Sequence, residues 1–328
     1  MGFVTRATTK ILAYGGGNWM WKAVTGAGRR PVIVTYHRVP APDEPLIDRT
    51  QRYVSADEFT RQLEYLLRKR RPATLPELIA DPDGAGPAFA VTFDDGYGDI
   101  YRVAFPILRR LGVNATVFVT TEVTSGRMWL WWDRLAAALS ESVGKTFRVS
   151  GREYRITDEE AGDAAQAALT AALKRSPRRD GTIEDVATQL GVDPTIPEGL
   201  YMGWEEVHAL RQAGWEIGGH SQTHRIYTTM TPEEARADVE GCTAHIEREI
   251  GERPRLFAYP NGRPDDYDED VIAALRRAGY TGAVTTVGGP VRRRPDPFRM
   301  PRVSPRGGEP WDVFLLRLSG LYDTLKGV

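Results

Sequence analysis

The chain has 328 residues, a length that allows one large domain or two small ones. Hydrophobic residues make up 41% and charged residues 27% of the sequence, which is ordinary for globular proteins and excludes collagen-like, disordered and disulfide-rich classes. The 43 basic and 44 acidic residues give a net charge of −1, so no overall field attracts nucleic acid or an anionic membrane. Any basic patch must therefore be local.

The N-terminal region has only a short apolar stretch. Residues 11–14 are apolar, but the stretch breaks at Gly15-Gly16-Gly17, so it is too short for a signal-peptide core. The three glycines predict a flexible joint. No segment of the sequence approaches the roughly 20 apolar residues that a membrane-spanning helix needs. We therefore expect a cytoplasmic protein.

From Pro31 onward, short apolar runs alternate with amphipathic stretches, which is typical of βα repeats around a mostly parallel sheet. The predicted strands are residues 32–36, 88–93, 115–119, 215–217, 256–259 and 283–285. The predicted helices are residues 55–67, 100–111, 158–173, 204–212, 231–250, 268–278 and 311–325. Ser55 with Glu58, and Thr231 with Glu234, have the spacing of a capping box, which defines the start of two of these helices.

The repeat is interrupted by a segment of different character. Residues 125–199 contain a cluster of tryptophans, an alternating stretch and Ala-rich helical turns, and we interpret them as a mainly helical insertion. The predicted organisation is an N-terminal extension at 1–30, a repeat region at 31–309 and a C-terminal amphipathic helix at 310–328. That helix either docks on the repeat region or contacts a bilayer.

Polar residues follow several of the predicted strands. In parallel α/β architectures the loops at the carboxyl ends of the strands converge, so residues there are the ones expected to do chemistry. Four strand ends carry such residues: Tyr36-His37-Arg38-Val39, Thr92-Phe93-Asp94-Asp95-Gly96-Tyr97, His220-Ser221-Gln222-Thr223-His224 and Tyr259-Pro260-Asn261-Gly262.

Two of these strand ends have the residue types of a metal site. Cys242 is the only cysteine, so a metal would be held by histidine and carboxylate. Asp95, His220 and His224 would give three protein ligands and leave positions open for water and substrate, as in catalytic sites. The neighbouring Asp94 would be available for a second role. Each motif alone also has a plainer interpretation, a turn after a strand or a pair of surface histidines.

These motifs resemble those of the NodB-homology polysaccharide deacetylases, carbohydrate esterase family 4. The segment from Thr92 to Tyr97 is similar to the first motif of that family, and His220 to His224 is similar to its second. The resemblance implies an α/β fold, a distorted (β/α) barrel, and a catalytic base at Asp94. It also implies an oxyanion hole that includes the backbone N–H of Tyr97.

The resemblance further implies one bound divalent ion. Asp95, His220 and His224 would be its ligands. Zn²⁺ is the ion expected first, and Co²⁺, Ni²⁺ and Mn²⁺ are alternatives.

The chain departs from the family pattern in two places. Ala258 stands where the third motif usually has an arginine that orients the base, and we propose Arg302 as its replacement; a solvated arginine is the alternative. No histidine follows His245, so the usual C-terminal acid is missing. His37, after Tyr36, is similar to the first-strand histidine of the poly-N-acetylglucosamine deacetylase branch, and we expect it to be the general acid.

The implied function is a metal-dependent carbohydrate N-deacetylase. Its expected substrate is an N-acetylated amino sugar in a glycan, a lipid-linked saccharide or a glycoside precursor, and no nucleic acid partner is expected. Trp204, Tyr259 and Asn261 are candidate substrate contacts, although they could equally serve packing, and the same two roles are open to Trp129, Trp131 and Trp132.

Other functions stay open on the sequence. A deformylase acting on a lipid-linked amino sugar would use the same chemistry. A catalytically inactive carbohydrate-binding barrel would keep the fold without turnover. An Fe(II) oxygenase also uses two histidines and one carboxylate, but the βα rhythm and the adjacent Asp94 argue against it. Peripheral contact with the inner face of a membrane through the C-terminal helix is a further expectation.

Overall fold

The structure, a computed structural model, describes residues 6–42, 44, 48, 50–51, 53–192 and 197–326. The chain divides into two compact units. The main unit comprises Met1–Pro42, Tyr53–Ser125 and Tyr201–Val328, and the inserted unit comprises Asp43–Arg52 and Gly126–Leu200.

The elements follow one another in a βα rhythm. The first part of the main unit contains α1 (Arg6–Tyr14), α2 (Gly17–Thr25), β1 (Val32–Tyr36), α3 (Ala56–Lys69), β2 (Arg71–Pro72), α4 (Leu75–Ala80), β3 (Ala88–Phe93), α5 (Phe105–Leu111), β4 (Ala115–Val119) and α6 (Thr121–Thr124). The inserted unit contains α7 (Trp131–Leu139), β5 (Thr146–Val149), β6 (Arg152–Arg155), α8 (Glu159–Leu173) and α9 (Arg179–Leu190). The main unit resumes with α10 (Trp204–Gln212), β7 (Glu216–Gly219), α11 (Pro232–Ile250), β8 (Leu256–Ala258), α12 (Glu269–Arg277), β9 (Gly282–Val284), α13 (Trp311–Leu318) and α14 (Leu321–Lys326).

The core of the main unit is a parallel sheet with the strand order β1-β3-β4-β7-β8-β9, to which β2 adds on β3. Every residue of β1, β3 and β4 is buried, as expected for parallel strands covered on both faces. The register pairs Tyr36 with Phe93, and Phe93 with Val117, so the carboxyl ends of these strands lie at one edge. This arrangement confirms the predicted parallel architecture.

A short segment after β9 joins the two outer strands of this sheet. Met300 bridges Val284 of β9, and Val303 bridges Val34 of β1, both in parallel orientation. The Thr35 N–H donates to the Val303 carbonyl at 2.9 Å. The curled sheet is thereby closed into the distorted barrel that the family resemblance implied, and the closing segment is Met300–Val303.

Local sequence signals set several element ends as predicted. Ser55 accepts a hydrogen bond from the Glu58 N–H while the Glu58 side chain accepts from the Ser55 N–H, and Thr231 forms the same box at the start of α11. Both predicted capping boxes are confirmed.

Two predicted helices differ from the structure. The helix predicted over residues 100–111 begins with a π-turn at Ile100–Ala104, because Pro106 in the first turn of α5 has no N–H for a regular helical bond. The single C-terminal helix predicted over residues 311–325 is wrong: it is broken between α13 and α14. Gly320 has φ +73°, a left-handed conformation that a helix interior does not allow.

The inserted unit has a core of its own. The hairpin β5–β6 and helices α7, α8 and α9 contribute Leu135, Phe147, Leu169 and Val186 to it. Trp131 is buried in the same core and Trp132 packs against it. This packing favours a structural role for these two tryptophans.

Among the described residues, no helix combines the length and the apolar character that crossing a membrane requires.

Candidate functional site

The polar residues predicted at the strand ends meet at the carboxyl edge of the sheet, and several have a strained backbone. Asp95, Ser221, His224 and Asn261 have positive φ values of 73°, 67°, 54° and 60°, which are uncommon for residues other than glycine. Such strain persists only where the surroundings hold it, and it concentrates at functional sites. The loops after β3, β7 and β8 are thus fixed in uncommon conformations.

The three predicted metal ligands lie together and are buried. Asp95 Oδ1 is 3.4 Å from His220 Nε2 and 3.3 Å from His224 Nε2. The three candidate ligand atoms all lie within 4.8 Å of one another. Asp95, His220 and His224 are 1%, 2% and 5% exposed. Two histidine nitrogens and one carboxylate oxygen therefore face one small region.

The chemistry of this donor set fits a cation. Asp95 Oδ1 is buried and has no hydrogen-bond partner among the described residues, which is costly for a carboxylate oxygen unless a cation lies beside it. The His220 Nδ1–H donates to the Ala258 carbonyl at 2.7 Å, so Nε2 is the ring nitrogen that faces Asp95 and is available as a ligand atom. Burial lowers the pKa of His224 to about 3, which keeps this imidazole in the neutral form that binds metals. A divalent ion would be held by these three residues.

The neighbouring Asp94 has a different partner, Arg302. Arg302 Nη1 and Nη2 donate to Asp94 Oδ1 and Oδ2, each at 2.7 Å, in a bidentate pair. Arg302 is 0% exposed, and it also donates to the Thr35 hydroxyl at 2.9 Å and to the Thr285 carbonyl at 2.9 Å. The structure thus brings the arginine suggested as a replacement onto the carboxylate suggested as the base.

The charge state of Asp94 follows from two opposing effects. Burial by itself would raise the pKa of Asp94, but the positive charge and hydrogen bonds of Arg302, with smaller contributions from His220 and His37, hold it well below its usual value. Asp94 is therefore an anion throughout the neutral range. Each of its oxygens keeps a second lone pair for another donor.

His37 lies at the exposed side of this group. Its side chain is exposed, and its charge contributes to the low pKa values of both Asp94 and Asp95. The Asp94 N–H donates to the Tyr36 carbonyl at 3.1 Å, which ties the loop after β1 to the loop after β3. His37 is therefore near both aspartates and open to solvent.

A buried ion pair that sequence reasoning missed fixes the His37 loop. Arg38 Nε is 2.7 Å from Asp99 Oδ2, and the Val39 N–H donates to Asp99 Oδ1 at 3.1 Å. The guanidinium also lies 5.2 Å from the centre of the Tyr97 ring. The signal for this pair in the sequence was Arg38, which comes just after a buried strand. An arginine that is buried at such a position needs an anionic partner.

A second missed residue, Asp238 on α11, supports the histidine loop. Its carboxylate accepts from the Gln222 N–H at 3.2 Å and from the Tyr227 hydroxyl at 2.8 Å. Burial raises the pKa of Asp238 to about 6. Ser221 Oγ also accepts from the His224 N–H at 2.8 Å. No sequence pattern links position 238 to this loop, because the contact joins a helix and a loop that are separate in the chain.

The predicted substrate contacts are placed differently from one another. Tyr259 is 0% exposed, its hydroxyl donates to the Phe298 carbonyl at 3.0 Å and its ring stacks on Tyr267, so this side chain packs in the interior. Trp204 is partly exposed and its Nε1–H donates to Ser125 Oγ at 3.0 Å. Asn261 is partly exposed at the end of β8. Tyr97 follows the two aspartates, with its ring buried.

Comparison with known proteins identifies the family of this chain. The sequence profile of the family described as polysaccharide deacetylase matches residues 81–283. The protein YxkH of Bacillus subtilis (strain 168) is 21% identical over 213 residues, which are 65% of this chain and 50% of YxkH. The chain thus spans about half the length of this relative.

Solved structures show the same fold at low sequence identity. The Streptococcus pyogenes deacetylase PplD, in complex with acetate, has a TM-score of 0.57 at 16% identity, covering 85% of this chain and 93% of that chain. IcaB from Ammonifex degensii has a TM-score of 0.53 at 20% identity, covering 90% of this chain and 97% of that chain. The family profile extends from before β3 into β9 and covers more than half of the sequence, so the chain belongs to the polysaccharide deacetylase family.

Proposed function

We propose that this protein is a metal-dependent hydrolase that removes an N-acetyl group from an amino sugar. The observation that carries the proposal is the pairing of Asp94 with Arg302 directly beside the buried cluster of Asp95, His220 and His224. A binding barrel without turnover would have no need to bury a charged carboxylate and hold it ionised next to a cation site.

The residues divide the chemistry between them. A divalent ion held by Asp95, His220 and His224 would act as a Lewis acid and lower the pKa of a water molecule to about 7. Asp94 is a weak base because Arg302 lowers its pKa, so it suits proton removal from a water that is already acidic. Arg302 also fixes the plane of the carboxylate through its two parallel hydrogen bonds.

The remaining steps need a donor for the oxyanion and an acid for the leaving amine. The backbone N–H of Tyr97, which lies in the same loop after β3 as Asp94, would stabilise negative charge on the former carbonyl oxygen. His37 would donate a proton to the amine nitrogen as the C–N bond breaks, leaving acetate and a free amino sugar. Zn²⁺ is the proposed ion, because two imidazoles and one carboxylate suit it.

The proposed substrates are an N-acetylated amino sugar in a glycan, in a lipid-linked saccharide or in a glycoside precursor. The test is acetate release from a panel that contains all three, measured with purified protein of known metal content and with Asp94→Asn as the control. Release that needs both the metal and Asp94 would support the proposal. Formate release from N-formyl analogues alone would make the protein a deformylase. Sugar binding with neither acid released would replace the proposal with a binding function.

The role of His37 predicts a substrate-dependent defect. Replacing His37 with alanine should lower kcat on N-acetyl sugars by about 10²–10⁴-fold, because the amine must then leave without a positioned acid. An aryl acetate ester has a leaving group that needs no proton, so its hydrolysis should fall much less. The pH–rate profile of the variant should lose the decline at alkaline pH that deprotonation of an acid causes.

His208→Ala is the matched control for this prediction, since His208 lies partly exposed within α10. It should leave both rates unchanged. Equal losses on the amide and the ester in the His37 variant would show that His37 is not the proton donor.

A further inference from the structure

Most of the large apolar side chains that the described residues expose lie on two helices. Ile11 and Tyr14 on α1 are 67% and 65% exposed, and Trp19, Met20 and Val24 on α2 are 74%, 61% and 81% exposed. We call these five residues the N-terminal apolar face. Val143 and Leu325, at 50% and 44%, are the other exposed large hydrophobic residues in the described part of the chain. Scattered single exposures are normal, but a concentration of this kind marks an interaction surface.

The two helices are anchored, so this exposure does not come from a loose end. The Trp21 Nε1–H on α2 donates to the Ser319 carbonyl at 2.9 Å, in the turn between α13 and α14. Asn18 is buried on the same side of α2, and α1 packs against α13. At Gly15, between the helices, an added Cβ would lie 2.5 Å from the Ile11 carbonyl oxygen. The inward sides are thus used for packing, and the apolar face points to solvent.

The chain around this face is positively charged. The first 42 residues contain six Lys and Arg residues and no Asp or Glu, in a chain whose net charge is −1. Burial and the nearby charges of Arg70 and Lys69 lower the pKa of Lys22, so these three cations lie close together beside α2. Burial raises the pKa of Tyr65, and the charges of Arg70, Tyr14 and Arg68 also act on it, which places the end of α1 beside the same end of α3. Cations therefore border the apolar side chains.

We propose that the N-terminal apolar face seats this protein on the surface of a lipid bilayer that carries anionic headgroups. Trp, Met, Ile and Val side chains would enter the boundary between headgroups and acyl chains, while Lys and Arg contact the headgroups, which is how interfacial helices bind. A second copy of the chain fits less well, because a two-fold contact would bring these cations against their own counterparts. The proposal holds whatever the substrate proves to be.

The C-terminal helix does not serve this purpose. Val313, Phe314, Leu316 and Leu318 of α13 are buried, and its other two large apolar side chains, Trp311 and Leu315, are only partly exposed. The sequence predicted membrane contact through the C-terminal helix. We instead assign this contact to α1 and α2, which pack beside α13.

The test is co-sedimentation of the full chain with vesicles of phosphatidylcholine alone or mixed with phosphatidylglycerol. We expect binding to the mixed vesicles that weakens as ionic strength rises. Trp19→Glu and Met20→Glu should each weaken it by roughly tenfold or more, because a carboxylate replaces an inserting apolar side chain. Val143→Glu, which adds the same charge at another exposed apolar position, should bind like the unchanged protein. Equal binding by all variants, or none by the unchanged protein, would overturn the proposal.

Two further measurements separate membrane insertion from surface adsorption and from self-association. Cys242 is buried, so a cysteine introduced by Met20→Cys can be labelled selectively with a polarity-sensitive dye. Its emission should shift to the blue on mixed vesicles, whereas that of labelled Val143→Cys should not. Size-exclusion chromatography tests self-association: a dimer that Trp19→Glu dissociates, without vesicle binding, would assign the face to a second copy instead.

Discussion

Replacing Arg302 with glutamine is expected to lower the free energy of unfolding by about 3–5 kcal/mol and to reduce activity strongly. The reason is that Asp94, 2% exposed, would keep its charge in the interior without its partner. The loss of stability should depend on pH. In the unchanged protein the depressed pKa of Asp94 adds stability that is present above the unfolded pKa and is lost as the pH falls through the folded one. The stability gap between the two proteins should therefore be largest at neutral pH and shrink in acid.

The same substitution should move the pH dependence of catalysis. Without the charge of Arg302, burial dominates and raises the pKa of Asp94, so the acid limb of the pH–rate profile should shift to higher pH. Arg302→Lys keeps the charge but loses the bidentate geometry, and it should recover stability better than activity.

Arg299→Gln provides the control for the Arg302 substitution. Arg299 is an arginine of the same segment that pairs with Asp296 and Glu269 and is 39% exposed. Its removal should change stability by less than about 1 kcal/mol. Urea unfolding at several pH values measures these differences. A stability gap that stays constant with pH would show that Arg302 acts through packing alone.

Removing Asp95 should separate metal binding from base catalysis. We expect Asp95→Ala to lose its bound metal on dialysis and to lose activity by more than the ~10–100-fold that removal of an outer partner of a metal ligand costs. Asp94→Asn should retain metal and still be inactive, because Asp94 faces Arg302 and is not part of the ligand cluster. Metal analysis with parallel rate measurements distinguishes the two variants.

Chelation gives an independent check of the ligand cluster. Treating the unchanged protein with a chelator should reproduce the Asp95→Ala defect, and added Zn²⁺ should restore activity only where Asp95 is present. Full metal content in the Asp95 variant would move the ligand site elsewhere.

The sequence predicted the site best where motif and strand end coincide. Asp94, Asp95, His220 and His224 each belong to a short motif directly after a strand, and the parallel register of β3, β4 and β7 aligns those strand ends. Arg302 and His37 lie outside the segment that the family profile matches. Arg302 was predicted because Ala258 replaces the usual arginine, and His37 because it resembles the first-strand histidine of one branch of the family. The structure places Arg302 on Asp94 and His37 near both aspartates.

The remaining features depend on tertiary contacts that no local pattern reveals. In the sequence, Asp238 is only a polar position on an amphipathic helix. Its hydrogen bond from the Gln222 N–H is visible only in the structure. Arg38 and Asp99 form their pair across two loops. Gly15, Gly16 and Gly17 predicted a flexible joint, and they lie where α1 ends and α2 begins. The sequence did not predict these two helices or their anchoring by Trp21 and α13. Their outward apolar side chains run against the usual pattern, in which the apolar side faces inward.

The closing segment Met300–Val303 has a consequence for the order of events during synthesis of the chain. The bond from Arg302 to Thr35 joins residues 267 positions apart, which is a very long loop to close. Contacts of such separation form late and slowly. Asp94 would thus lie beside its metal-ligand neighbours while still lacking its guanidinium partner, until the segment that carries Arg302 has emerged from the ribosome. A nascent chain that lacks the closing segment would be inactive. It would gain hydrolytic activity when the barrel closes.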